Sequence, residues 1–230
     1  MTRGSIDWTV VATALDAHGY AVLPDLLSPT ECDSLCDGWA SADYRSEVSM
    51  ARHGFGRGIY RYYAYPLPEV VQRLRASLYS PLAGIANRWS DRLGWGLAYP
   101  NHHADYLARC HLNGQGRPTP LILRYSTGDW NALHQDVYGS EIFPLQVAIL
   151  LSRPKQDFSG GEFILTEQRP RMQSRAEVVP LARGDAVVFP VRDRPVAGTR
   201  GDYRVQMRHG VSRILSGERF TLGIIFHDAA

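Results

Sequence analysis

Two of the chain's eight histidines open a His-x-Asp triplet, His103-Ala-Asp105 and His134-Gln-Asp136. An imidazole and a carboxylate two positions apart share a side where the backbone is extended and face away from each other on a helix. His103 and Asp105 fall in a segment with helical spacing, 101–113. His134 and Asp136 follow a β-rich run, Leu121–Tyr125, and a turn at Gly128. Theirs is the pair that can converge on one ion. A third donor from another strand is His209, 73 positions after Asp136 and just past the β-rich run Tyr203–Met207. Two imidazoles and one carboxylate on one face suit Fe(II) and leave the opposite positions open, for dioxygen among other ligands. Arg219 opens the last β-rich run as Arg219-Phe-Thr221. A guanidinium beside a hydroxyl on the same side makes a fork for a carboxylate held away from the metal. An α-keto acid with a second carboxylate fits both ends.

The motifs follow one another in order. Tyr125-Ser-Thr-Gly128 precedes His134-Gln-Asp136. Gly160-Gly161-Glu162-Phe163, Gly184-Asp185-Ala-Val-Val-Phe189, His209 and Arg219-x-Thr221 come after. This series resembles the 2-oxoglutarate/Fe(II)-dependent oxygenases, in the spacing of their prolyl-4-hydroxylase-like branch and most like a bacterial group within it. The resemblance covers about residues 119–227 and is specific as a combination. It implies a double-stranded β-helix, or jelly roll. It implies His134, Asp136 and His209 as iron ligands and Arg219 as the residue that binds the distal carboxylate of 2-oxoglutarate. Tyr125 and Thr221 would be hydrogen-bond partners there. The implied activity is a dioxygenase that hydroxylates or otherwise oxidises a small-molecule or protein substrate, with Fe(II), 2-oxoglutarate and O2, forming succinate and CO2. The best-known prolyl hydroxylases carry lysine where this chain has Arg219, so a prolyl substrate does not transfer. Two other readings stand beside it: an oxidative nucleic-acid demethylase, and a non-catalytic sensor of iron or 2-oxoglutarate.

The elements that must position these groups differ along the chain, giving an α+β expectation. Trp8–His18 has helical spacing and stops at Gly19. Ser28-Pro29-Thr30-Glu31 is a capping box, followed by Cys32, Leu35, Cys36 and Trp39 on one apolar stripe. The aromatic stretch 43–64 reads as a lid over a pocket or as an edge segment. Glu69–Leu78 reads as one helix, and Ser80-Pro81 as the start of another carrying Leu82, Ile85, Ala86, Trp89 and Leu93. After Gly114 come short β-rich runs: 121–125, 145–151, 162–166, 176–181, 186–190, 203–207 and 220–226. The expectation is a single domain over 1–230, with 1–113 mainly helical support and 114–230 the jelly-roll core.

Around the motifs, Tyr138 is placed to line the substrate mouth. Arg169 and Arg171, with Arg175, lie in a polar loop suited to an anionic substrate. His227-Asp228 reads as a solvated pair at the tail, and Cys110-His111 as structural. Hydrophobic residues make up 44% and charged residues 21%, enough apolar surface to offset chain entropy and exclude a disordered chain. Apolar runs such as Val147–Leu151 are strand-sized, far short of a membrane span. The opening Met-Thr-Arg-Gly-Ser-Ile-Asp has no leader-like apolar stretch. Three cysteines fit a reducing compartment rather than a disulfide scaffold, so a cytoplasmic protein is expected. Net charge is +2, but residues 169–219 carry +6 and the remainder −4. That basic stretch suits an anion, though nucleic acid is not the favoured partner. A homodimer is compatible with the sequence.

Overall fold

The computed structural model describes residues 5–230. Residues 1–4, part of the stretch where the absence of a leader was read, lie outside them. The chain runs through α1 (Trp8–His18), β1 (Ala21–Leu23), α2 (Pro29–Asp37), β2 (Tyr44–Ser49), β3 (Gly56–Arg57), β4 (Ile59–Tyr63), α3 (Glu69–Leu93) and α4 (His103–Leu112). It continues with β5 (Leu121–Ser126), β6 (Trp130–His134), β7 (Leu145–Leu150), β8 (Phe158–Gly160), β9 (Phe163–Gln168), β10 (Arg175–Val179) and β11 (Ala186–Pro190). β12 (Asp193–Gly198), β13 (Gly201–Val211) and β14 (Ile214–Ile225) complete it.

The strands form two antiparallel sheets. The larger has the order β1-β11-β7-β14-β5-β4-β2, with β8 on β14; the smaller has the order β10-β9-β13-β6-β3, with β12 on β13. The apolar run in β7 reflects burial on both faces. Leu145, Val147 and Ile149 join Leu222 and Ile224 of β14 in the core that the helices cover. Ala148 of β7 joins Val187 and Phe189 of β11, facing Phe163, Leu165 and Met207 of the smaller sheet. On β14 the alternation is functional. Leu222 and Ile224 face the helices, whereas Arg219, Thr221, Gly223 and Ile225 face a cavity between the sheets. This is the expected jelly-roll arrangement, with helices on one outer face.

Four strands lie in the half expected to be mainly helical. β1 pairs with β11, and β4 joins β5 to the edge strand β2. The stretch 43–64 is therefore an edge segment, while Phe55, Tyr60 and Tyr62 still line the cavity. The capping box at Ser28 and Glu31 is present. The expected helix break at Ser80-Pro81 is absent: α3 is continuous, with Pro81 inside it. Proline inside a helix costs about 3 kcal/mol through the lost N–H and the ring clash. Leu74, Leu78, Leu82, Ile85 and Trp89 are buried along the same face on either side of it. Burial of each contributes roughly 1.5–3 kcal/mol, which outweighs the break. β6, β8 and β12 have no counterpart among the expected runs, and β13 extends far enough to include His209.

Candidate metal centre and co-substrate cavity

His134 ends β6, Asp136 follows it by two residues, and His209 sits in β13 between β6 and β9. The pairing of β6 and β13 is irregular. His134 faces His209 and Asn131 faces Val211, so three steps on one strand match two on the other. The extra residue reverses the side-chain alternation. Asn131 and His134, three apart, both line the cavity as a result.

One ligand atom from each of His134, Asp136 and His209 lies within 4.8 Å of the others. His134 Nε2 is 3.5 Å from Asp136 Oδ1, and His209 Nε2 is 3.3 Å from Asp136 Oδ2. His134 Nδ1 is 2.7 Å from the carbonyl oxygen of Ala132. A carbonyl only accepts, so Nδ1 carries the proton and Nε2 presents a lone pair. Burial pushes the His209 imidazole below its ordinary range and His134 adds to this, against the pull of Asp136. The rings of Phe163 and Phe189 flank it, with centroids 6.1 and 4.7 Å away. Burial alone would raise the Asp136 carboxyl; His209, His134 and the Tyr138 hydroxyl together hold it below the usual carboxylate range. An ionised carboxylate and two imidazoles meeting at one point fit a divalent cation. Among the described residues no other group of three such side chains is found.

The same cavity, of about 210 Å³, contains Arg219, Thr221 and Tyr125. Arg219 is 1% exposed and donates from Nη1 to Thr221 Oγ1, as the spacing on β14 predicts. It sits opposite Tyr125 on β5, its guanidinium carbon 5.7 Å from the ring centre. Asn131 Nδ2 donates to the Tyr125 hydroxyl at 3.2 Å. Burial pulls the Arg219 guanidinium down to about 10, opposed by Tyr125 and Glu162. Among the described residues no carboxylate pairs with it, and its Nε has no partner. A buried, unpaired guanidinium is costly unless an anion is brought to it. A carboxylate arriving in the cavity meets that need. Gly161, at φ +65°, makes room: a Cβ there would stand 2.3 Å from Ile214 Cδ1 and 3.0 Å from Arg219 Cδ.

Other candidates fall elsewhere. Tyr138 lines the cavity, but its hydroxyl donates to Asp136 Oδ1 at 2.8 Å. The polar loop with Arg169 and Arg171 is the β9–β10 turn and lines no part of the cavity. Arg169 Nε donates to Glu167 at 2.7 Å, and Glu167 also takes Arg194, so that charge is already spent within the hairpin. Arg171 is exposed, at φ +61°. His103 and Asp105 diverge as expected for α4. His103 is buried with Nε2 2.8 Å from the Phe226 carbonyl, and Asp105 is exposed. The tail pair is not solvated: His227 and Asp228 are fully buried. Arg75, buried in α3, draws Asp228 in through a 2.7 Å ion pair and donates to the carbonyls of residues 225–227. His111 lies 2.9 Å from the same carboxylate, the structural role expected for that segment.

The model of an oxygenase family, described as "Oxygenase, catalysing oxidative methylation of damaged DNA", matches residues 58–229. An uncharacterized protein of Mycobacterium tuberculosis, found in two strains, is 53% identical over 165 residues, 72% of this chain and 71% of its own. The fold is similar to that of an oxidoreductase of the 2OG-Fe(II) oxygenase family from Burkholderia pseudomallei. The TM-score is 0.58 at 17% identity, over 100% of this chain and 96% of that one. It is also similar to a Pseudomonas putida prolyl-4-hydroxylase, with a TM-score of 0.56 at 15% identity, over 94% and 96% of the two chains.

Proposed function

The chain belongs to the oxygenase family whose model spans residues 58–229, and from that premise we propose that it is an Fe(II)- and 2-oxoglutarate-dependent dioxygenase acting on a small-molecule or protein substrate. The observation that carries the reading is one cavity holding both a three-donor cluster and a buried cation without a carboxylate partner. His134, Asp136 and His209 would hold the iron. Arg219 and Thr221 would take the distal carboxylate of 2-oxoglutarate, with Tyr125 beside them. Iron held there would supply, with 2-oxoglutarate and dioxygen, the oxidation of a substrate C–H bond, one oxygen atom going to the substrate and the other to succinate as CO2 leaves. The chain's own residues orient and shield. Arg219 fixes which end of the keto acid faces the donors, and Phe55, Tyr60 and Tyr62 wall the approach with apolar surface. Apart from the donors, Arg219 is the only ionic side chain among the described residues lining the cavity, which suits an uncharged reacting part of the substrate.

The test is anaerobic binding of Fe(II) and 2-oxoglutarate, then admission of oxygen and a succinate assay. Wild-type protein is expected to form succinate. Arg219→Ala is expected to need at least roughly 30-fold more 2-oxoglutarate, because losing one partner of a buried charged pair costs about 2–5 kcal/mol. Tight binding without succinate under any substrate would support the sensor reading instead.

A second reading, oxidation of nucleic acid, is favoured by the matched family's description and by the rim of the cavity. Phe55 is 47% exposed there; outside the lining, Trp130 is 38% exposed on β6 and pairs with the exposed Arg57 of β3. Exposed aromatics beside arginine are a stacking surface for single-stranded bases. Single-stranded DNA binding that weakens steeply with salt would support it. Absence of binding at low salt would remove it.

A further inference from the structure

The segment after β6 carries Asp136 but belongs to no strand up to β7. Tyr99 donates to its Ile142 carbonyl and His227 accepts from its Phe143 N–H, while the stretch 138–141 nearest Asp136 is held by Gln115. Gln115, 1% exposed, places Nε2, with two hydrogens shared among three acceptors, 3.1 Å from the carbonyl oxygen of Tyr138, 3.0 Å from that of Glu141 and 2.6 Å from that of Asp228. Its Oε1 accepts from the Glu141 N–H at 2.7 Å and the Ser140 hydroxyl at 3.2 Å. The carboxamide thus replaces the ladder that a strand would have supplied. The loop wraps it closely because residue 139 is glycine. Gly139 has φ +94°, and a Cβ there would stand 2.4 Å from Gln115 Cδ.

Tyr138, fixed by this clamp, reaches forward to Asp136 Oδ1 at 2.8 Å. Among the described residues, this is the only hydrogen bond to Asp136 from a residue other than the two histidines. The direction of the bond is set. A carboxylate oxygen only accepts, so the Tyr138 O–H donates. Behind it stands Tyr62, whose ring is covered by Arg45 at 4.2 Å. A carboxylate on a short side chain rotates freely unless a partner holds it. Here only Tyr138 can do so without competing for the place of the cation.

We propose that Gln115 and Tyr138 are positioning residues for the metal centre: Gln115 fixes the loop, and the Tyr138 hydroxyl fixes the rotation of the Asp136 carboxylate. The inference rests on the metal reading of His134, Asp136 and His209. Groups that orient a ligand in this way change metal affinity by about 10–100-fold when removed.

The experiment titrates Co(II) into the full chain without 2-oxoglutarate. It is followed by calorimetry and by the cobalt visible absorption, with the thermal midpoint of the metal-free protein measured alongside. Tyr138→Phe removes one oxygen and keeps every contact of the Tyr138 backbone. It is expected to weaken Co(II) binding about 10–100-fold and change the absorption, with the metal-free midpoint held. Gln115→Ala is expected to weaken binding too, and the double variant to bind no more weakly than the weaker single variant, because both losses act through one hydroxyl. Wild-type affinity in Tyr138→Phe would overturn the inference, as would losses that multiply in the double variant. If Gln115→Ala does not fold, Tyr138→Phe alone decides. Wild-type protein that takes up no Co(II) would overturn the metal reading itself and this inference with it, an outcome distinct from wild-type binding that Tyr138→Phe leaves unchanged.

Discussion

Arg219 and Thr221, proposed to take the same carboxylate, would act on it with unequal strength. The guanidinium is a charge in a dry cavity, and the hydroxyl is a neutral partner that also accepts from Arg219. Thr221→Val should therefore weaken 2-oxoglutarate binding by only about 1 kcal/mol, roughly fivefold, with little change in metal affinity. Titration of 2-oxoglutarate against the metal-loaded protein reads this directly. A loss as large as that of Arg219→Ala would mean that Thr221 holds the ligand rather than the arginine. His134, Asp136 and His209 were legible because their chemistry is local in type: two donor kinds in an extended triplet and a third at a strand. Tyr138 was legible only as a cavity residue. Its bond to Asp136 depends on a loop shape set by Gln115, and no local spacing announces that contact.

At the scale of elements, the site depends on two irregularities, the mismatch between β6 and β13 and the turn at Gly160-Gly161. Gly161→Ala places a methyl against Ile214 and Arg219 at a backbone angle that costs about 1–2 kcal/mol for any other residue. It is expected to lower the thermal midpoint and to weaken 2-oxoglutarate binding together. Lower stability with unchanged 2-oxoglutarate affinity would show that Arg219 does not depend on this turn. By contrast, Arg171→Ala in the β9–β10 turn should leave 2-oxoglutarate binding unaltered, since the turn lines no part of the cavity. The strand runs were readable from β-branched and apolar residues, because burial on both faces leaves a continuous signal in β7 and β11. β6 was not, since Trp130 and Leu133 are exposed and its inward residues are the polar Asn131 and His134. The continuity of α3 through Pro81 was hidden for another reason: tertiary burial overrides a local break.

For the whole molecule, α3, α4 and the C-terminal segment are joined by buried charge. Arg75, Asp228, His103 and His227 lie at or near zero exposure. Burial, with Arg75 nearby, pushes His103 and His227 each down to about 4. In the unfolded chain both titrate near 6.5. Between those values the unfolded state binds more protons, so stability is full above about pH 6.5 and is lost as pH falls toward 4. The Asp228 carboxyl is raised by burial but held below its ordinary range by Arg75 and His111, so its contribution goes only at lower pH still. The thermal midpoint should fall between pH 6.5 and 4, and His103→Asn should flatten that fall. An unchanged slope would show that His103 is not held neutral. His227-Asp228 looks like a solvated tail in sequence because the arginine that buries it stands some 150 positions earlier.

The place of β14 in the larger sheet has a consequence in time. It lies between β7 and β5, which are joined to each other only through it. During synthesis both strands leave the ribosome long before β14 does, each with one edge unpaired. β7, with no charged residue along its length, is the more adhesive of the two. The strand that delivers Arg219 to the cavity is thus also the one that covers the open edge of β7 in the nascent chain. A chain halted at residue 213 would carry all three donor residues and still be prone to aggregate.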